Sequence, residues 1–225
     1  MVPAFALLTL LSAPTAQAGA LSVSAGTEVP LAVGAAVGYR PIAPLEVRVF
    51  AGVMPGAYVD LVNAVVVGLG GYDDNTAELV ASALKSAFVL HLTAEWTPFV
   101  ERGWTVGAGY AFAGLGGGAA ASDIVAVAVG QSVGISVGPT IDVTSAIHML
   151  TVSTGWQWRL EGQWLLRAQL GFAATVAAHT TAQADPDGPL GRALADAGAA
   201  YLDDVYTSYV FTPYAEVSVG YVFDL

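Results

Sequence analysis

Segments 148–159 and 164–176 each alternate a greasy and a more polar set of side chains, and only four residues separate them. In the first, His148, Leu150, Val152, Thr154, Trp156 and Trp158 share one parity. Met149, Thr151, Ser153, Gly155, Gln157 and Arg159 share the other. After the turn, Trp164, Leu166, Ala168, Leu170, Phe172, Ala174 and Val176 alternate with Leu165, Arg167, Gln169, Gly171 and Ala173. A period of two sustained over this length specifies β-strands with two unlike faces. Each segment also exceeds the roughly 9–11 residues that a tilted strand needs to cross a bilayer.

Composition narrows the choice of fold. The chain is 55% hydrophobic and only 11% charged, with a mean hydropathy of +0.63. Ordinary soluble domains carry charge on roughly a quarter of their residues. After the first 18 residues, however, Gly, Asp or Pro cuts every long apolar run, and no uncharged helix-like span of about 18 residues is left. A transmembrane β-barrel reconciles the two facts, because its lipid-facing residues alternate with lumen residues.

The same hairpin unit recurs. Residues 29–40 and 45–54 flank Pro41-Ile42-Ala43-Pro44; Val29, Leu31, Val33, Ala35, Val37 and Tyr39 align, then Leu45, Val47, Val49, Ala51 and Val53. Residues 87–97 and 103–113 flank a second short turn, with Phe88, Leu90, Leu92, Ala94 and Trp96 on one face, then Trp104, Val106, Ala108, Tyr110 and Phe112. A final strand near 209–224 sets Val217, Val219, Tyr221 and Phe223 against Glu216, Ser218, Gly220 and Asp224. Long connections fall near 55–86, 114–145 and 177–208. Short turns at one end and long loops at the other are the asymmetry of outer-membrane barrels, whose strand number is even in bacteria. Leu21, Val23 and Ala25, alternating with Ser22 and Ser24, supply a short first strand and bring the count to eight. The alternative is ten, with residues 124–137 forming a further hairpin around Gly130-Gln131.

Residues 1–18 read as a secretory signal peptide, with Ala16-Gln17-Ala18 as a small-x-small cleavage site and the barrel domain following over 19–225. No Lys or Arg precedes the apolar stretch. Cysteine is absent, which excludes disulfides and thiolate metal sites. The net charge of −11, without a basic patch, excludes nucleic acid as a partner.

All five tryptophans lie beside short turns on the apolar parity: Trp96 and Trp104 at one, Trp156, Trp158 and Trp164 at another. Tyr39, Tyr221 and Phe223 repeat the placement at the remaining turn and at the C-terminus. Rings with a polar edge favour the membrane–water interface, so these eight residues are expected to form the periplasmic girdle, with lipids as partners. Phe88, Phe112, Phe172 and Phe211 are expected to form a sparser outer one.

In these features the chain resembles the small outer-membrane β-barrels, the class of the OmpA membrane domain, OmpX and OmpW, over residues 19–225. The resemblance is one of architecture, with no family-specific motif. It implies export through the periplasm and assembly by the barrel-insertion machinery, for which Ser218, Gly220, Phe223 and Leu225 match the terminal signal. Bacterial members usually end in an aromatic residue, and the terminal Leu225 departs from that.

By parity the lumen receives Arg40, Glu46, Arg48, His91, Glu95, Arg159, Arg167, Gln169, Glu216 and Asp224, four positive and four negative charges besides His91. A buried charge without a partner is costly, so the balance predicts an ion-pair network, with Arg48–Glu95 as one pair. The long connections hold eleven acids against Lys85 and Arg192. Residues 57–71, 75–84 and 189–202 read as helices, too apolar for ordinary surface loops, and they are expected to pack together as a cap, dip into lipid or bind something greasy.

Catalytic and metal sites are not expected. His91, Thr93 and Glu95 share a face but point into a packed lumen, and no G-x-S-x-G elbow occurs. His91, His148 and His179 have no metal-ligand spacing, and Asp73-Asp74-Asn75, Asp185-Pro186-Asp187-Gly188 and Asp203-Asp204 lack an EF-hand pattern. No cofactor is implied. The leading functional expectation is a non-enzymatic structural or surface-interaction role. The alternatives are a passive transporter (porin-like) for small apolar molecules entering at the loop cap and, further behind, a lipid-modifying enzyme.

Overall fold

The computed structural model describes residues 19–68, 86–120, 140–185, 188–209 and 211–225. Its strands are β1 (Ala20–Val29), β2 (Ala32–Ile42), β3 (Leu45–Val53), β4 (Ser86–Phe99), β5 (Trp104–Ala120), β6 (Thr140–Arg159), β7 (Trp164–Asp185) and β8 (Phe211–Asp224). They pair antiparallel in sequence order, and β8 returns onto β1 from Ala20↔Asp224 to Val29↔Ala215, closing the barrel. Eight strands therefore suffice. The ten-strand alternative fails because β5 pairs directly with β6 from Trp104↔Trp156 to Ala120↔Thr140. Residues 124–137, the expected leader 1–18 and the helix expected at 75–84 lie outside the described residues.

Alternation in the sequence becomes alternation in space. Val47, Val49 and Val53 are exposed on the outer face of β3, whereas Glu46, Arg48 and Phe50 between them are buried. The start of β1 and the end of β8 lie at the short-turn end: the Gly19 amide donates to the Arg40 carbonyl, and the Leu225 amide donates to the Gly19 carbonyl. The turn after β4 closes through Gly103 at φ 66°, where a Cβ would collide with the Gln157 carbonyl oxygen. Only glycine fits there.

Three boundaries differ from the sequence reading. First, β1 runs on to Val29 and turns tightly, so Leu31 belongs to the turn and is buried instead of sharing the outer face of Val33 and Val37. Pro30, which donates no amide hydrogen bond, marks the break. Second, β5, β6 and β7 reach 17, 20 and 22 residues, well into segments expected as loops. Ladder pairing with β6 holds even Gly114, Gly116 and Gly117 extended. Third, β7 has one extra residue where Met149 pairs with Thr175 and His148 with Ala177, so the parity of β7 shifts there and His179 points outward. The rim is thus uneven, low at β1–β3 and tall at β5–β7.

Among the described residues two helices connect strands at the long-loop end: α1 (Gly56–Gly68) and α2 (Pro189–Tyr209). Both match expected helices, α2 running further than residue 202. α2 lies along β7, where Val143 and Ala195 are buried together with Ala182, Ala184, Leu194 and Leu202 around them. Its Tyr206 packs on the apolar layer of the lumen, and burial pushes the phenol pKa up despite a hydrogen bond with Ser145. No described helix is long and apolar enough to cross a membrane.

Candidate functional site: a cross-braced lumen

The inward parity of the eight strands builds two layers. Near the short turns the layer is ionic. Arg40 Nη2 lies 2.7 Å from Glu46 Oε2, and Arg167 reaches Glu46 at 2.9 Å and Glu95 at 2.6 Å. Arg48 forks onto Glu216, with distances of 2.6 and 2.8 Å. Neutral groups complete the shell. Gln157 Oε1 accepts from Arg40 at 3.1 Å, Ser218 donates to Glu216 at 2.9 Å, and Gln169 donates to Thr105 at 3.2 Å. Arg40, Glu46, Arg48, Glu95, Arg167 and Glu216 are each less than 8% exposed. Arg159 and Asp224 sit 3.8 Å apart at the more open lower edge.

Most of these contacts cross the lumen. Arg48 on β3 meets Glu216 on β8, Arg167 on β7 meets Glu46 and Glu95 on β3 and β4, and Arg40 on β2 meets Gln157 on β6. The pair expected from sequence, Arg48–Glu95, is replaced. The register sets Arg48 opposite Thr93 and Glu46 opposite Glu95, and Arg48 and Arg167 each reach past the neighbouring strand to a carboxylate further away.

Above the ionic layer, a Glu28 carboxylate oxygen lies 3.1 Å from His91 Nδ1, and His91 Nε2 lies 2.9 Å from the Thr151 hydroxyl. Tyr214 packs edge-on to the imidazole, with ring centroids 5.8 Å apart, and covers Gly171, where a Cβ would collide with Tyr214 Cζ. The sequence reading leaves Glu28 out of the lumen, although Ser22, Ser24, Gly26 and Glu28 continue one parity. A carboxylate, an imidazole and a hydroxyl in line are the parts of an acid–base relay. Here all three are at most 3% exposed, so the contacts orient the ring and brace β1, β4 and β6 together. Thr93 and Glu95 share the strand face of His91, but its ring nitrogens bond to Glu28 and Thr151. Further out the lumen is apolar, filled by Leu31, Phe50, Val89, Leu115, Ile147 and Met149. Among the described residues no three potential metal ligands cluster.

On the outer face, the rings expected as a girdle gather at the short-turn end. Tyr39, Trp96, Trp156, Trp164, Tyr221 and Phe223 are exposed, and Trp104 and Trp158 are partly so. Trp104 pairs across the ladder with Trp156, and Trp164 with Tyr221, whose rings stand edge-to-face at 5.9 Å. The Trp104 indole N–H donates to Thr154 at 2.9 Å, so this outward polar edge has a partner within the wall. Tyr110 and His148 hydrogen-bond on the same face beside Phe112. Of the residues matched to an assembly signal, Ser218 is buried in the lumen and Gly220 shares its parity, whereas Phe223 and Leu225 are exposed.

No family model matches the chain, and no curated protein does. Solved structures do. The N-terminal β-barrel domain of OprF from Pseudomonas aeruginosa is 11% identical, with 92% of this chain and 98% of that one covered and a TM-score of 0.45. CarO2 of Acinetobacter baumannii is 13% identical over 92% and 100%, with a TM-score of 0.43. A major outer membrane protein from Thermus thermophilus is 14% identical over 91% of this chain and 98% of that one, with a TM-score of 0.51. At such identities the likeness is one of fold: the closed eight-stranded architecture is that of small outer-membrane β-barrels.

Proposed function

We propose that the protein spans the bacterial outer membrane as a sealed barrel with a structural or surface-interaction role, without catalysis and without an open pore. The observation that supports this reading most is the bracing across the lumen, where ion pairs join strands on opposite sides of the wall. An eight-stranded barrel has an interior just wide enough for side chains to fill, and here arginines, glutamates and Phe50 occupy it. The aromatic belt would seat the wall in lipid, and Ser218, Gly220, Phe223 and Leu225 would present the last strand to the insertion machinery.

Planar-bilayer recordings test the sealed lumen. Insertion without stepwise conductance is expected, and steady single-channel openings would overturn it. One observation favours a second reading, passage of small apolar molecules: the outer half of the lumen is lined by Leu31, Val89, Ile147 and Met149. Uptake of an apolar solute into vesicles carrying the protein, above that of empty vesicles, would support passage over the sealed barrel.

A further inference from the structure

We propose that α1 is a membrane-surface helix, held on the lipid side of the low rim at β1–β3 and covered by the outer leaflet of the bilayer. The inference rests on the membrane-spanning reading and adds a lipid contact beyond the barrel wall.

The composition of α1 sets the problem. GAYVDLVNAVVVG carries only Asp60 and Asn63 as strongly polar side chains, three residues apart and therefore on one edge. Ala57, Leu61 and Ala64 recur at helical spacing and are exposed, Leu61 at 47%. A helix that is apolar over most of its circumference is normally buried. α2 meets that need along β7, whereas α1 makes no comparably extensive contact with any described element: Val59 is buried, and the face of Ala57, Leu61 and Ala64 is left uncovered.

Its anchor shows which way it leans. Tyr58, in the first turn, hydrogen-bonds through its hydroxyl to Thr27 Oγ1. Thr27 lies on the outward parity of β1 with Val23 and Ala25, opposite the lumen side chain of Glu28. Thr27 pairs with Val33, and Val33 with Val53, so the row beneath the anchor is the apolar outer face of the wall, where Val33 and Val53 are 43% and 60% exposed. Only Met54 and Pro55 separate that row from the helix. The three strands below have 9–11 residues, about what a tilted strand needs to cross the hydrocarbon, so their rim ends at the membrane surface. An apolar helix of 13 residues, about 20 Å long, that starts there and is tied to the outer face continues the lipid-facing surface. Apolar burial is what holds such a helix, since α1 has no Lys or Arg to attract anionic lipid.

The absence of cysteine permits a clean test. Three single variants, Leu61→Cys on α1, Val152→Cys on the outer face of β6 and Asp196→Cys on the exposed face of α2, are labelled with an environment-sensitive fluorophore. Each is reconstituted into phosphatidylcholine vesicles with or without lipids carrying a nitroxide near the headgroup or deep in the chain. The label at 61 is expected to emit to the blue of that at 196 and to be quenched more by the shallow nitroxide than by the deep one. The label at 152 is expected to be quenched by lipid nitroxides in either case. A label at 61 that matches 196, or that shifts blue without lipid quenching because protein covers it, overturns the proposal while 152 still reports a membrane wall. Loss of quenching at 152 as well would instead overturn the membrane-spanning reading.

Discussion

Replacing Arg167 by methionine is expected to destabilise the barrel by about 3–5 kcal/mol, the cost of stranding buried charge. Arg167 is 1% exposed, and its guanidinium is shared between Glu46 and Glu95, which belong to neighbouring strands and face each other in the register. Without it two carboxylates would stand together in a closed interior, with Arg40 left for only one of them. Urea unfolding in lipid vesicles measures the effect. Adding Glu95→Gln to Arg167→Met is expected to recover part of the loss, because the second change removes the stranded charge. An unfolding midpoint within error of the parent for Arg167→Met alone would mean that the crossing contacts do not brace the wall.

Gly171→Ala is expected to have the next largest effect, about 1–3 kcal/mol, through overpacking. Gly171 pairs with Tyr214, whose ring lies over the bare backbone. A methyl group would lie 2.2 Å from Cζ, and the ring, which contacts the His91 imidazole edge-on, would have to move. The disturbance then reaches the contacts of His91 with Glu28 and Thr151. Tyr214→Ala in the same chain removes the clash, so the two changes are expected to be coupled by more than about 0.5 kcal/mol, as residues in contact usually are. Strictly additive losses would show that the ring does not depend on the glycine.

Much of this architecture is legible because a barrel wall has a single repeating rule. Val47, Arg48 and Val49 already state it, and the structure obeys it at each of those residues. The lumen membership of Arg40, Glu46, His91, Glu95, Arg167 and Glu216 follows from parity alone. Partners do not follow, because parity gives a side chain its face but not its reach. Sequence matches Arg48 to a neighbouring strand, whereas its length carries it across the lumen to Glu216.

Strand ends are the other obscure feature. Gly114 to Gly117 read as loop by composition, but ladder pairing with β6 keeps them in the wall. Val29 and Leu31 read as one strand face until the turn at Pro30 divides them, and without that turn Glu28 goes unnoticed. The extra residue on β7 is equally silent in sequence, since Val176 and Ala177 are both small and apolar.

The most direct measurement follows the alternation itself in a membrane. Single cysteines placed at each position from 149 to 157 on β6, one at a time in this cysteine-free chain, can carry a bimane label in vesicles containing brominated lipid. Quenching is expected at 150, 152, 154 and 156 and absent at 149, 151, 153, 155 and 157, which face the braced interior. Equal quenching at successive positions, a repeat near 3.6, or labels reached only by water would contradict a wall with hydrocarbon on one side and a closed lumen on the other.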